Sequence, residues 1–400
     1  MVSRAICWML IGFRLWYLLL PSPRKVPLAP DKAEDPSKGA KERNRSWVGH
    51  APVDRRDRKG NITALIPCHN EQECLPHAIR SLLLQTRPPD RIVVVADNCT
   101  DATVEVGRSF GVEVWETVAN RHKKAGALNQ ALDRLLPSLS EEDALLIMDG
   151  DSFLDTGFVE HAAEKLASGR YGGVGGTFRG RPGGGFVGML QRNEYTRYAR
   201  DVRRQKGKVL VLTGTATLFG VEALSKVAAS RASDQVYDVE VLTEDFELTL
   251  ALRHLGYEVV SPKECTLTTE VMETWRDLAR QRLRWKRGAV ENLIQYGWTR
   301  VTAEHWLRQG VTILGIFVMA TYLATIAYSL AMVHSITLYP LWVGVTGVFA
   351  VERAVTVRRR GWRQSLLAAL LIFEVPFDLC LQAVHLKAYW QAIRGSERRW

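Results

Sequence analysis

Residues 143–152 read DALLIMDGDS, a β-branched and leucine-rich run that stops on Asp149-Gly150-Asp151. A short continuous apolar run of this kind is the pattern of a strand buried on both faces. Two carboxylates flanking a glycine at its end point into one mouth. Upstream, the same pattern occurs twice more: ITALIP (62–67) runs into Cys68-His69-Asn70-Glu71, and RIVVVAD (91–97) into Asn98-Cys99. Between them lie stretches with helical spacing: Leu75, Ile79, Leu82 and Leu83; residues 102–110; and KKAGALNQALDRLL (123–136). VEVWE (112–116) adds a further strand. Strands alternating with helices predict an α/β domain with a mostly parallel sheet, whose ligands bind at the carboxyl ends of the strands.

Composition agrees with a globular chain. Of the 400 residues, 46% are hydrophobic and 24% charged, which excludes a disordered, collagen-like or coiled-coil protein. The six cysteines include no CxxC pair, and His69, His77 and His122 show no HxxxH or HExxH spacing, so a zinc site and a disulfide scaffold are both excluded. Reduced thiols in a cytoplasmic compartment are expected. GxSxG is absent. The glycine-rich run 171–188 lacks the spacing of a phosphate loop and reads as strand, turn and close-packing glycines.

The net charge of +10 suits either a polyanionic partner or a membrane protein with basic cytoplasmic loops. The apolar segments decide for the membrane, and nucleic acid is not an expected partner. Residues 310–333 carry no charge, and 335–351 are uncharged after a turn at His334-Ser335. A third apolar run, 365–383, is interrupted by Glu374, Pro376 and Asp378. Acids at membrane depth line cavities or pathways, which makes a bent or re-entrant helix the expectation there. The basic tail beyond it (Lys387, Arg394, Arg398, Arg399) argues for a cytoplasmic end, in conflict with a full crossing. Residues 5–20 are apolar with Arg14 inside and no small-residue cleavage site after them, which predicts an uncleaved anchor. The expected organisation is an N-terminal membrane anchor (1–22), a basic flexible linker (23–60), the α/β domain (61–300), and C-terminal interfacial and transmembrane helices (301–400).

Several side chains carry chemistry by type and position. Asp149 and Asp151 suit Mg2+ or Mn2+, which take oxygen ligands from one or two carboxylates plus phosphate. Asp97 ends a strand, where it either caps the next helix or accepts from a nucleobase N–H. Lys124 opens a helix, where an ammonium gains nothing from the dipole but is well placed for a phosphate. Thr243-Glu244-Asp245 begins a predicted amphipathic helix with Phe246, Leu248, Leu250 and Leu252. The helix terminus favours an ionised Asp245, so it serves as a base only where burial offsets that effect. Gln281 to Arg287 falls in a predicted helix over 274–294. There Arg284 suits a pyrophosphate clamp, and Trp285 a sugar face or a headgroup belt.

Taken in order, IPCHNE (66–71), VADNCTD (95–101), KAGALNQAL (124–132), MDGDS (148–152), GTATLFG (214–220), TEDFELTLAL (243–252) and QRLRW (281–285) resemble the family 2 glycosyltransferases of the GT-A fold. The likeness is to their membrane-integrated branch, which includes poly-N-acetylglucosamine, chitin, hyaluronan and cellulose synthases. It covers about residues 61–300 and extends to the flanking membrane helices. The resemblance implies a nucleotide site of Pro67, Glu71, Asp97, Lys124, Asp149 and Arg284, with Pro67, Glu71 and Asp97 around the uridine. It implies Asp149 and Asp151 as the metal motif, Asp245 as the base, and Gly214, Thr215, Gln281 and Trp285 at the acceptor. Where many members carry Asp-Asp-Gly, this chain has Asp97-Asn98-Cys99, so the second acid is replaced by an amide. The implied activity is metal-dependent, inverting transfer from a UDP-sugar, with UDP-N-acetylglucosamine the first expected donor and UDP-glucose the second. The implied acceptor is a growing β-linked polysaccharide, with a single transfer to a polyprenyl phosphate or other lipid as the alternative. A non-catalytic nucleotide-sugar-binding scaffold is the remaining alternative. Membrane lipid, and a partner subunit or a second copy, are the other expected partners. The catalytic domain is expected in the cytoplasm.

Overall fold

Strand β1 (Ile62–Cys68) lies inside a seven-stranded sheet and pairs in parallel with β2 (Arg91–Ala96) on one side and β4 (Ala144–Met148) on the other. The structure, a computed structural model, describes residues 60–333, 340–358, 361–370 and 374–395. The chain divides into two units at Lys59/Gly60, and the described residues belong to the second. The expected anchor (1–22) and nearly all of the expected linker (23–60) lie outside the described residues.

The remaining strands are β3 (Glu113–Glu116), β5 (Phe153–Leu154), β6 (Tyr171–Gly175), β7 (Thr177–Gly180), β8 (Ala216–Gly220), β9 (Glu258–Val260) and β10 (Thr266–Thr269). The large sheet has the order β3-β2-β1-β4-β8-β6-β9, and a small second sheet the order β5-β10-β7. Helices α1 (Leu75–Leu83), α2 (Thr103–Ser109), α3 (Lys123–Leu135), α4 (Phe158–Leu166), α5 (Gly185–Arg204), α6 (Val221–Ala229) and α7 (Glu244–His254) complete the α/β part. After them come α8 (Trp275–Tyr296), α9 (Ala303–Tyr328, continued by a wider turn over Ser329–Val333), α10 (Pro340–Val357), α11 (Trp362–Ala369) and α12 (Glu374–Arg394).

Because strand side chains alternate between faces, the central strands feed two cores. Leu65, Val93, Val95, Leu145 and Ile147 pack with α3, α6 and α7 on one face. Ala64, Ile66, Ile92, Val94, Leu146 and Met148 pack with α1 and α4 on the other. Truncating Leu65, Ile66 or Leu146, each fully buried, to alanine costs about 2–5 kcal/mol. The sheet is therefore covered on both sides, as the continuous apolar runs require. It is not wholly parallel. β8 runs antiparallel to both β4 and β6. That reversal sets the N-terminal end of β8 beside the carboxyl end of β4, where Asp149 N–H donates to Thr215 O at 3.1 Å. The glycine-rich run behaves as close packing: a Cβ on Gly176 would come within 2.5 Å of Leu267 and 2.6 Å of Phe158. All five described cysteines are free thiols.

Two expectations are corrected. Helix α7 is not amphipathic: Phe246 to Leu252 are all buried. Its polar Glu247 is satisfied inside by Arg231 at 2.7 Å and by the Tyr296 hydroxyl at 2.6 Å. Glu374 and Asp378, expected to line a cavity or pathway, are instead ion-paired with arginines, Glu374 with Arg197 and Arg353 and Asp378 with Arg353. The third apolar run is divided between α11 and α12. Among the described residues, only Ala303–Met332 is a helix long and apolar enough to cross a membrane.

Candidate active site

The carboxyl ends of the strands meet in a cavity of about 580 Å3. Its wall holds Lys124 of α3, Asp149 and Asp151 beyond β4, Gly214 and Thr215 before β8, Glu244 and Asp245 of α7, and Gln281, Arg284 and Trp285 of α8. Side chains separated by up to about 160 residues of chain are thus brought to one place.

The Asp149-Gly150-Asp151 turn needs its glycine. A Cβ there would meet Cys68 Sγ at 2.9 Å and Glu71 Cγ at 3.3 Å. Asp151 accepts from the Ser152 hydroxyl at 3.1 Å and lies near the Thr269 hydroxyl. Burial, and then Asp149 beside it, push Asp151 up to about 6. Burial, followed by Asp151, Glu270, Asp149 and Asp101, pushes Glu71 up to about 7. Acids crowd here, and each makes its neighbours harder to ionise.

Lys124 ties this cluster to α7. Its Nζ donates to Asp149 Oδ1 at 2.5 Å, lies 3.5 Å from Glu244 Oε1, and is 3.4 Å from Gly214 O. Burial would lower this ammonium, but Asp149 and Glu244 outweigh it and hold it above its ordinary range. In this structure its nearest partners are therefore the carboxylates.

Asp245 sits in the first turn of α7. Its Oδ2 accepts Gly214 N–H at 3.0 Å and its Oδ1 accepts Phe246 N–H at 2.8 Å. Those donors favour the carboxylate, yet burial and adjacent Glu244 win and raise it to about 6. The offset that a base at a helix terminus requires is thus present. Helix α8 is started by Thr274, whose hydroxyl accepts Asp277 N–H at 3.2 Å. It crosses close over the start of α7: a Cβ on Gly288 would come within 2.6 Å of Thr243 Oγ1. Along α8, the Arg282 guanidinium covers the Trp285 ring at 4.3 Å and pairs with Glu194 at 2.7 Å.

Three expected residues lie outside the cavity wall. Pro67 is in β1 and Glu71 in the turn after it, against Gly150. Asp97 is buried and does not cap α2; its Oδ1 accepts from Asn98, Thr117 and Asn120 at 2.8–3.0 Å. The helix-starting role belongs to Asp101, which accepts Thr103 N–H at 3.0 Å. Conversely, Glu270, Phe178 and Tyr195 line the cavity without having been singled out. Glu270 directly follows strand β10, and a carboxylate at the end of a strand was the available signal.

Among the described residues no group of three or more His, Cys, Asp or Glu side chains is arranged to enclose a metal ion. The donor set does fit a hard divalent cation that keeps water and phosphate oxygens as further ligands. Asp149 and Asp151 adjoin at a strand end, and the repulsion that raises Asp151 is what a cation there would relieve.

Residues 63–228 match the family model described as glycosyl transferase family 2. A poly-beta-1,6-N-acetyl-D-glucosamine synthase of Staphylococcus epidermidis is 25% identical over 248 residues, covering 60% of this chain and 57% of the relative. The synthase of that name from Staphylococcus aureus strain COL is 24% identical over 280 residues, covering 67% of this chain and 65% of the relative. The match thus spans less than two thirds of these relatives' length. Among solved structures, a mannosyltransferase of Pyrobaculum calidifontis in complex with GDP-Man and Mn2+ is similar over 99% of this chain and 97% of that one. Its TM-score is 0.58 at 16% identity, which is a likeness of fold. The doubly covered, mostly parallel sheet is that of the GT-A fold, and over residues 63–228 the chain is similar to the glycosyl transferase family 2 model.

Proposed function

We propose that this chain is an inverting, metal-dependent membrane glycosyltransferase with its catalytic domain in the cytoplasm. It transfers a sugar from a UDP-sugar to a growing β-linked polysaccharide, with UDP-N-acetylglucosamine the first donor to test and UDP-glucose the second. The observation that carries this reading is Asp245: a buried carboxylate, raised to about 6, on the same cavity wall as Lys124, Asp149 and Asp151. The names of the Staphylococcus relatives support the N-acetylglucosamine polymer.

In this reading the acceptor hydroxyl gives its proton to Asp245 while its oxygen attacks the anomeric carbon. The bond from that carbon to the diphosphate breaks, and UDP leaves with the electron pair. A single base with no protein nucleophile gives inversion. Lys124 and Arg284 offset the charge that grows on the leaving group. Asp149 and Asp151 hold Mg2+ or Mn2+, which supplies further charge stabilisation when bound. Pro67, Glu71 and Asp97 shape the nucleoside end, while Gly214, Thr215, Gln281 and Trp285 receive the acceptor. The anchor, linker, catalytic and C-terminal segments keep the boundaries expected from the sequence.

The test is UDP release by the detergent-purified full chain across a panel of UDP-sugars with Mg2+ or Mn2+, with EDTA and Asp245→Asn as controls. GDP-mannose joins the panel because of the solved mannosyltransferase. Release with one UDP-sugar that both controls abolish, and a product ladder on sizing, are expected. Turnover insensitive to both controls would overturn the reading. A single sugar on a lipid would redirect the acceptor assignment.

A further inference from the structure

The two carboxylates of the Asp149-Gly150-Asp151 turn are not equivalent. Asp151 accepts from a neutral hydroxyl, that of Ser152, at 3.1 Å. Asp149 accepts from a full ammonium, Lys124 Nζ, at 2.5 Å, and among the described residues no other side chain hydrogen-bonds it. Among those residues no ion pair joins Lys124 to Asp151; its second carboxylate is Glu244, at 3.5 Å. A cation that comes to this turn thus meets an ammonium at one carboxylate and none at the other.

The base of this lysine is fixed and its tip is open to the cavity. Asn120 Nδ2 donates to Lys123 O and to Asp97 Oδ1, both at 2.8 Å, which holds the left-handed backbone of Lys123 (φ 52) where α3 begins. Beyond that anchor the flexible stem reaches the cavity, whose wall includes Lys124. Nζ lies over the bare backbone of Gly214, where a Cβ would stand 3.0 Å from it. A helix start repels an ammonium, so it is the carboxylates that hold Nζ there. A diphosphate in the same cavity offers it an equivalent partner.

Free UDP must draw Lys124 from Asp149 and leave that carboxylate without a partner. A free divalent cation must share Asp149 with an ammonium already in contact with it. When both arrive, Lys124 passes to the phosphate oxygens and Asp149 to the cation, and no charge is left unpaired. A charge-assisted hydrogen bond between partly buried groups is worth about ten- to a hundredfold in an equilibrium constant. We propose that Lys124 makes this site selective for metal and diphosphate together over either component alone, by holding Asp149 until a donor diphosphate takes the ammonium away. Each ligand then tightens the other, and by the same factor. The inference rests on the assignment of Asp149 and Asp151 to the metal.

The test measures binding to the full chain in detergent at pH 8 and needs no turnover. With EDTA present, UDP titrated by calorimetry should bind Asp149→Asn at least about fivefold tighter than Asp151→Asn, which removes a like charge from the same turn without freeing Lys124. In the Lys124→Met background, Asp149→Asn should change UDP affinity by less than about twofold. Equal affinities for the two asparagine variants, or a gain that survives without the lysine, would overturn the inference. Mn2+ titrated alone and followed by its EPR signal should bind Lys124→Met at least about tenfold tighter than wild type, and UDP should tighten Mn2+ less in that variant. Arg284→Met is the control for charge alone, since Arg284 lines the same cavity with no ion pair to Asp149 among the described residues. A gain there as large as that of Lys124→Met would also overturn the inference. Mn2+ that binds wild type neither with UDP nor without it would refute the metal assignment itself. Mn2+ bound equally well with and without UDP would refute only the coupling.

Discussion

Replacing Asp245 by asparagine separates catalysis from stability, and the structure gives the size of both effects. A carboxyl raised from 3.8 to about 6 holds its proton more tightly folded than unfolded. Below about pH 4 both states are protonated and nothing is lost. As pH rises through 4 toward 6 the unfolded chain ionises first, so the folded state loses stability, and the full penalty applies above about pH 6. At 1.36 kcal/mol per unit this approaches 3 kcal/mol at pH 7. The Gly214 and Phe246 N–H groups lose a charged acceptor in the variant, which trims the gain to about 1–3 kcal/mol. Asp245→Asn is therefore expected to be more stable than wild type at pH 7 and level with it near pH 4, by thermal denaturation in detergent. Its UDP release should fall at least about 100-fold, the usual worth of a general base. In the wild type, the ionised fraction of a group titrating near 6 drops about tenfold from pH 7 to pH 5, and kcat should follow. Residual activity in the variant that kept the same acid limb would refute the assignment, because the limb would then belong to Asp151 or Glu71. An unchanged or lowered denaturation temperature at pH 7 would refute the burial argument.

Two further outcomes follow from the neighbours of that carboxylate. Lys124→Met removes the ammonium that pairs with Asp149 and Glu244, so the acid limb should move to higher pH and the turnover at pH 7 should fall; an unmoved limb would show that the lysine does not set the acidity of the cluster. Gly288→Ala forces a methyl onto Thr243, at a cost of about 1–3 kcal/mol. It should lower kcat with little change in nucleotide binding, measured by UDP titration, since the shift is transmitted to the first turn of α7.

Much of this was legible in the chain, for reasons particular to each element. The central strands were readable because burial on both faces leaves no polar residue in Leu145–Met148 or Ile92–Ala96. Asp149, Asp151 and Asp245 were readable because strand ends and helix starts are where carboxylates carry chemistry. The antiparallel direction of β8 was not, because ATLFG is equally apolar in either sense and only its pairing with β4 fixes it. Nor was the burial of α7: Glu247 and Thr249 look solvent-facing in sequence, and their partners Arg231, Tyr296 and the Asp245 carbonyl are set by the fold. Glu270 escaped because its short strand is recognisable only beside β5 and β7. The role of Glu374 depended on Asn193 and Arg197 in α5, about 180 residues away, and that of Asp378 on Arg353 in α10.

The Arg282 guanidinium lying over Trp285 makes that indole one-sided. A sugar ring that stacks there has a single approach, from the face the arginine does not cover, so the two faces of an incoming pyranose are not equivalent to the protein. In a polymer whose successive residues alternate in orientation, every second residue would present the wrong face. A chain that advances past Trp285 one unit at a time must therefore either turn at each step or be built from linkages that let the new terminal ring relax into the same pose.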